Sequence, residues 1–382
     1  MLIGIDASRA FTKNRTGIEE YSYQVIKNLR DKLSGHEVIL YSRDSKLAAC
    51  NSKRRLGNIE LPKKWSVKTI KFPYLWTQLG LSLEMLFHSP DVLFIPAHTV
   101  PIIHPKNTIV VIHGLEYEFC PEAYSRWERF YMRRVIKNSC RWAKTIIAVS
   151  KNTKRDLVKL YKVPTEKIKV VYEGYDYNFQ GEKKLKLKNL KFNSNFKFQI
   201  SNLPYLLFIG RLEKRKNVIG IIKAFEILKE KYNIPHKLIL AGGKGYGYKN
   251  VKCQISNAKC QNDIILTGFV SEEDKWELLK NADVFLFPSF YEGFGLPILE
   301  AQSMGTPVVA GDNSSIPEIA GSALLVNPHN PKEIAEAAYK LIKDKDLRND
   351  IIEKGYKNTK RFSWEKCADS IAEMLMVANS NE

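Results

Sequence analysis

Glu292 and Glu300 stand eight positions apart, and Gly-Phe-Gly-Leu-Pro lies between them. Carboxylates accept hydrogen bonds from hydroxyl groups, and glycine lets a backbone come close to a ligand. The apolar run at 284–287 reads as a buried strand. Pro297 suits the first turn of a helix, where its missing N–H is not needed. The stretch is therefore a strand, a glycine loop and a helix mouth with free N–H groups. Glu300 is expected in that helix's first turn, facing the same cleft as Glu292. Such a place holds something both anionic and rich in hydroxyls. A sugar nucleotide fits: the N–H groups take phosphate and the carboxylates take sugar hydroxyls. Gly-rich strand-to-helix turns are common in α/β proteins, so the reading rests on what accompanies this one.

GRLEKRKN at 210–217 follows another apolar run. Arg211 and Lys216 there leave a strand end and enter a helix start, where a guanidinium and an ammonium clamp a diphosphate and stabilise its charge as it departs. An isolated pair of this kind is usually a solvated turn; its place at a strand's carboxyl end favours a site. In NRTGIEEYS at 14–22, Gly17 opens a helix whose N–H groups face a phosphate. His113 ends a strand in VIHGLEYE at 111–118, so it faces the crevice and can meet a sugar hydroxyl or a developing positive charge. His98 and His104 are weaker candidates on the acceptor side. In TGFVSEED at 267–274, backbone groups of Phe269 and Val270 can pair with a nucleobase edge. Asp344-Lys345-Asp346 has the form of a D-x-D metal motif but follows an amphipathic helix with no glycine loop, and reads as a solvated helix end.

These loops need a scaffold. Short β-branched runs at 2–6, 37–41, 92–95, 108–112, 145–149 and 169–172 alternate with helical patterns such as Ile18, Tyr21, Val25, Leu29. The alternation predicts a parallel sheet covered on both faces. Residues 177–203, rich in Lys and Asn, break the pattern and read as a linker. A second series follows at 205–209, 237–241, 264–266, 284–287, 307–309 and 323–326. Two α/β halves predict a cleft, with ligands at the carboxyl ends of strands. The expected organisation is a first domain at 1–176, a linker at 177–203, a second domain at 204–362 and a tail helix at 363–378.

At 382 residues with 44% hydrophobic content, the chain can bury two cores. No run of about 18 apolar residues spans a membrane, and the start MLIGIDASRA reads as a strand rather than a signal peptide. Six scattered cysteines without C-x-x-C argue against zinc and a disulfide framework and fit a reducing cytoplasm. The net charge of +19 is uneven: +13 over residues 1–176, +5 over 177–203 and +1 over 204–382. A basic first half suits an anionic membrane or anionic substrate, or reflects a lysine-rich background. Residues 126–144 concentrate the effect: Arg126, Arg129, Arg133, Arg134, Lys137, Arg141 and Lys144 accompany Trp127, Phe130 and Tyr131, the composition of a peripheral membrane helix. The other reading packs those aromatics into the core.

Taken together, the T-G-I loop at 16–18, His113, VSKNTKRDL at 149–157, VVYEGYD at 170–176, GRLEKRKN at 210–217, GFVSEED at 268–274 and EGFGLPILE at 292–300 resemble, in order, the retaining GT-B glycosyltransferases of glycosyltransferase family 4. The resemblance implies two Rossmann-like domains facing each other across a cleft, with the tail helix crossing back to the first. It implies that Glu292 binds donor-sugar hydroxyls, Glu300 the ribose, and Arg211 and Lys216 the diphosphate, with Gly17 closing on it. His113 would contact the sugar near the reacting carbon. Val270, Gly293, Phe294, Gly295 and Leu296 would line the donor. The family often has Asp after this histidine; here Gly114 stands there, and Glu116 is nearby. The DASR start and the T-G-I-x-x-Y pattern look most like the mannosyltransferase branch of surface polysaccharide synthesis, which makes GDP-mannose the expected donor and UDP-sugars the alternative. The expected partners are a nucleotide-sugar donor, a glycan or lipid-linked glycan acceptor and an anionic membrane surface, with no cofactor and no metal. The expected location is the cytoplasm, with the inner face of the cytoplasmic membrane as a peripheral seat. A nicotinamide dehydrogenase would need G-x-G-x-x-G after a strand, which neither GIDASR nor GRLEKRK supplies. A nucleic-acid-binding protein would need a recognised module, and none is present. A binding-only relative without turnover is the remaining alternative.

Overall fold

The computed structural model describes residues 1–12, 15–43, 55–56, 59–175 and 203–378. The expected linker at 177–203 lies, except for Leu203, outside the described residues. The chain divides into two units. The first takes the described residues of Met1–Leu115 and Arg126–Gly174, together with 362–378; the second takes Glu116–Ser125 and the described residues of Tyr175–Arg361. Residues 116–125, expected in the first half, therefore belong with the second unit.

The first unit is built on seven parallel strands: β1 Leu2–Asp6, β2 Glu37–Ser42, β3 Trp65–Thr69, β4 Val92–Ile95, β5 Thr108–Ile112, β6 Thr145–Ala148 and β7 Ile168–Val170, in the order β3-β2-β1-β4-β5-β6-β7. The second has six: β8 Tyr205–Ile209, β9 Lys237–Ala241, β10 Ile264–Gly268, β11 Val284–Phe287, β12 Val308–Gly311 and β13 Leu324–Val326, in the order β10-β9-β8-β11-β12-β13. Both orders reverse direction beside the first strand, the Rossmann-like arrangement that opens a crevice at the strands' carboxyl ends. The central strands β4, β5 and β11 are buried at every residue, as apolar runs covered on both faces must be. The edge strand β3 alternates buried and exposed residues at its start. It was not expected from the sequence, because WSVKT carries too few apolar residues to read as a run.

The helices flanking these strands include α1 Gly17–Lys32, α2 Ser82–Phe87, α3 Arg126–Trp142, α4 Lys151–Tyr161, α5 Val218–Tyr232, α6 Glu272–Asn281, α7 Leu296–Ser303, α8 Lys345–Thr359 and α9 Trp364–Val377. Capping side chains start several of them. Ser150 accepts from the Thr153 N–H at α4, Ser271 from Asp274 at α6 and Ser363 from Lys366 at α9. Asp344 accepts from Leu347 N–H at 2.9 Å and caps α8, which gives that D-x-D aspartate a structural job.

Tail helix α9 packs within the first unit. The Trp364 ring meets Tyr21 of α1 edge-on at 5.8 Å, and Lys32 pairs with Asp369. Its entry depends on Gly174 of VVYEGYD, where a Cβ would lie 2.1 Å from the Trp364 nitrogen. Gly174→Ala must push that backbone away. The expected loss is about 1–3 kcal/mol, the usual scale of overpacking, read as a lower denaturant midpoint. An unchanged midpoint would mean that α9 docks without this close approach.

Candidate functional site

The second unit gathers the charged residues at the carboxyl ends of β8 and β11, which are neighbours in the sheet. After β8, residues Lys214–Lys216 form one 3-10 turn that ends at Asn217. Asn217 sits in the left-handed region at φ 56°, a conformation asparagine tolerates. Its side chain accepts from Gly220 N–H at 3.2 Å and donates to the carbonyls of Pro288 and Pro328 at 3.1 and 2.6 Å. This locks the turn and starts α5. Arg215 and Lys216 then both reach Glu292.

Lys216 Nζ donates to Glu292 Oε1 at 2.6 Å, and Arg215 donates to Oε2 at 3.1 Å and to the Tyr291 carbonyl at 2.9 Å. Arg215 also donates to Glu213 at 2.8 Å. Glu292 is buried, and burial opposes its charge. The two cations outweigh burial and hold its carboxyl below the usual range. Burial likewise opposes the Arg215 charge, yet Glu292, Glu116 and Glu213 raise its pKa above the ordinary value. For Lys216, burial dominates and lowers the pKa despite Glu292.

The loop after β11 is pinned from below. Glu292 N–H donates to Ser314 Oγ at 2.9 Å, and Ser315 Oγ donates to the carbonyls of Glu292 and Phe294 at 2.9 and 2.7 Å. Phe294 is buried, so Gly293, Gly295 and Leu296 carry the loop into α7. Gly295, at φ 116°, caps the helix in a conformation that favours glycine. Pro297 lies in the first turn, as expected. Glu300 is the fifth residue of α7 and so lies one turn further in than expected. It pairs with Lys275 of α6 at 2.9 Å. Burial opposes the Lys275 charge, but Glu300 and Glu272 prevail and raise its pKa.

Arg211 is exposed just past the end of β8. Its stem runs along the 242–247 loop, where a Cβ on Gly245 would come within 2.7 Å of it. Val270 is buried beside the start of α6, while Phe269 is exposed at the end of β10. Residues 116–125 cover the Glu292 loop. Phe119 stacks on Tyr291 at 4.8 Å, and Cys120, Ala123 and Tyr291 bury together.

The first unit holds the other candidates. Gly17 opens α1 after Thr16, whose N–H donates to Glu19 at 3.2 Å in a capping box. A Cβ there would meet nothing within 4 Å, so packing does not require this glycine. His113 follows β5 with both ring nitrogens engaged: Nδ1 with Glu173 Oε1 at 3.1 Å and Nε2 with the Pro96 carbonyl at 2.9 Å. Tyr21 packs edge-on against it at 4.6 Å. His98 is buried; burial, then His113, keeps its pKa well below the ordinary value, and its Nδ1 accepts from His113 N–H at 3.4 Å. His104 contacts the Pro105 carbonyl at 3.1 Å and Trp142. Both are thus explained by packing.

Sequence reasoning missed Arg215, Lys275, Glu173 and the covering Phe119. A third basic residue in K-R-K was the one local signal for Arg215. The other three lie far along the chain from what they touch. The aromatics of α3 do not pack in the core: Trp127 is 81% and Phe130 59% exposed, and Tyr131 is exposed beside them.

Two family models match the chain, Glycosyltransferase Family 4 over residues 15–179 and Glycosyl transferases group 1 over residues 191–358. The chain is 29% identical over 286 residues to O-antigen chain mannosyltransferase B of Escherichia coli, covering 74% of this chain and 72% of that one. It is 24% identical over 371 residues to O-antigen chain mannosyltransferase RfbU of Salmonella typhimurium, covering 95% and 96%. Among solved structures, Anabaena HepE in complex with UDP and glucose has a TM-score of 0.73 at 20% identity, covering 98% and 99%.

Breaking the Glu292 cluster tests its electrostatics. Glu292→Gln leaves Lys216 without a carboxylate and Arg215 with Glu213 alone, and the expected loss is about 3 kcal/mol, the lower end for a broken buried pair because Arg215 keeps that partner and both cation heads keep some solvent. The folded carboxyl lies below its ordinary 4.5. Its contribution is therefore fully present above that value and is lost as pH falls through the lowered one. The stability gap between wild type and variant should be wide at neutral pH and close in acid. A gap independent of pH would exclude the charge as its cause.

Proposed function

The chain belongs to the GT-B glycosyltransferases that join a Family 4 domain to a group 1 domain, and from that premise we propose that it is a retaining, metal-independent hexosyltransferase that takes mannose from GDP-mannose. The acceptor in this reading is a glycan or lipid-linked glycan of a surface polysaccharide. The observation that carries it is the convergence of Lys216 and Arg215 on Glu292 at adjacent strand ends of the group 1 domain. The choice of mannose is supported by the similarity to the two O-antigen mannosyltransferases.

In the proposed reaction, Glu292 exchanges Lys216 for the hydroxyls of the sugar while Arg215 stays on its other oxygen. Lys216 and Arg211 take the diphosphate and stabilise the charge that develops as the sugar–phosphate bond breaks. Those cations do the work that Mg²⁺ or Mn²⁺ does elsewhere. Glu300 takes the ribose, and the backbone around Val270 takes the base. The family resemblance gives His113, which Glu173 holds at Nδ1, the sugar near the reacting carbon. The acceptor hydroxyl attacks on the face the nucleotide leaves, and its proton passes to the departing diphosphate. The outward cationic and aromatic face of α3 rests on the anionic cytoplasmic leaflet, where each cation contributes about 1 kcal/mol.

A thermal-shift screen against GDP-, UDP- and ADP-sugars tests the donor. GDP-mannose should stabilise most; a response to UDP-sugars alone would replace it. Transfer should persist in excess EDTA and give an α-linked product from an α-donor by NMR. Loss of activity restored by Mn²⁺, or a β-product, would refute those parts.

Substitutions separate the roles. Arg211→Ala should lower kcat by ~10²–10³. Glu292→Ala frees two cations, so it should bind the bare nucleotide diphosphate at least as tightly as wild type while losing sugar selectivity. Weaker binding of the bare diphosphate in calorimetry would mean that Glu292 serves the nucleotide. Gly17→Ala should keep the melting temperature, because Ala fits a helix start and meets no neighbour, yet lower activity by crowding the N–H groups of α1. Full activity would remove Gly17 from the site.

A further inference from the structure

One surface of the first unit has no place in this chemistry. Residues Trp76–Leu81 form a π-helix that runs directly into α2. Its inner face is anchored by buried Trp76, Leu81 and Met85, and the Trp76 indole donates to the Ile70 carbonyl at 2.9 Å. The outer face should then be polar. Instead Leu75, Leu79, Leu83, Leu86 and Phe87 are all exposed, Phe87 at 73%. From Leu79 their spacing of four, three and one places them on one stripe of the helix, and Leu75 stands just before it. Glu84, the acidic residue of this helix, is turned off the stripe to Lys68 at 2.6 Å.

The stripe is not isolated. Ile103 N–H donates to Ser82 Oγ of α2 at 3.2 Å, and Val100 N–H donates to Ser139 Oγ of α3 at 2.9 Å. The 100–103 loop, with Ile102 and Ile103 exposed, thus links α2 to α3. On α3 the exposed aromatics share their face with Arg134 and Arg141, and the helix carries six basic residues against Glu128. An apolar stripe and a cationic, aromatic helix are thus joined through one loop. An apolar face of this extent marks an interaction site. An anionic bilayer meets both halves: headgroups take the arginines, and the acyl boundary takes leucines and phenylalanine.

We propose that the π-helix and α2 form the inserting element of a two-part membrane anchor, with α3 as its electrostatic part. This rests on the membrane reading of α3 given above. The two parts differ in one measurable respect: charge attraction is screened by salt and apolar insertion is not.

Co-sedimentation with phosphatidylcholine vesicles, with and without phosphatidylglycerol, at low and high salt, tests the division. Wild type should need the anionic lipid for capture and should retain part of that capture at high salt. Leu79→Gln, Leu83→Gln, Leu86→Gln and Phe87→Ser combined should keep low-salt capture and lower high-salt capture about tenfold or more. Arg134→Glu with Lys137→Glu should abolish capture at low salt. All of these positions are exposed, and circular dichroism melts check that each variant folds; Phe87→Ser alone serves if the combination does not. An apolar variant matching wild type at both salts overturns the insertion and leaves the α3 reading standing. Wild type indifferent to anionic lipid at low salt overturns both. A wild-type dimer that the apolar variant converts to monomer in sedimentation equilibrium assigns the stripe to a second copy instead, and also overturns it.

Discussion

A carboxylate buried at the end of a β-strand cannot stand alone, and the second unit is arranged around that constraint. Glu292 keeps its charge because two cations reach it from the neighbouring strand end. That requirement dictates a series of otherwise unrelated details. Residues 214–216 must turn tightly enough for consecutive side chains to point the same way. Asn217 must hold the left-handed conformation and tie the turn to two proline carbonyls. Ser314 and Ser315 must hold the facing loop so that the carboxylate does not retreat. Segment 116–125 must cover Tyr291, whose carbonyl takes the remaining reach of Arg215.

The scaffold was largely legible in the sequence because parallel strands covered on both faces leave a plain mark. VLFI, TIVVI and VFLF are continuous apolar runs and are strands where expected. Legibility failed at the sheet's edge, where β3 pairs with β2 and mixes Ser, Lys and Thr with its apolar residues. Strand ends also shifted by a residue or two, since hydrogen bonding and not hydropathy decides where a ladder stops. The grouping of 116–125 with the second unit had no sequence mark at all: EYEFCPEAYS reads as a connection between β5 and α3, and its aromatic residues find their partners at 290 and 291.

The site was legible by type and only partly by partner. Glu292, Lys216 and the glycine loop stand at strand ends as expected, because strand-loop-helix spacing is a local property. Spacing drew Arg211 and Lys216 together as ends of one loop, but the 3-10 turn makes Arg215 the companion of Lys216 at Glu292. Partners brought in by the fold leave no such trace. Lys275 reaches Glu300 from 25 residues away, and Glu173 reaches His113 from 60. The amphipathic pattern of α3 was visible, but which face the core would take was not; buried Ile136, Ser139 and Cys140 decide it and leave Trp127 outside.

The two cations beside Glu292 are not equivalent, and the difference bears on how such a site exchanges partners. Arg215 is held by three acceptors, the Glu292 and Glu213 carboxylates and the Tyr291 carbonyl, and its charge is reinforced by Glu116. A planar guanidinium with that many fixed bonds positions the loop more than it responds to a ligand. Lys216 depends on Glu292, and burial already weakens its hold on the proton. It is the cation that gains most from a newcomer. For the proposed donor, a diphosphate brings more negative charge than one carboxylate, so Lys216 can turn to it while Arg215 keeps Glu292 neutralised. Glu292 then has one oxygen released toward the sugar without either charge being left bare. The apparent redundancy of two cations on one glutamate thus separates an architectural task from a chemical one.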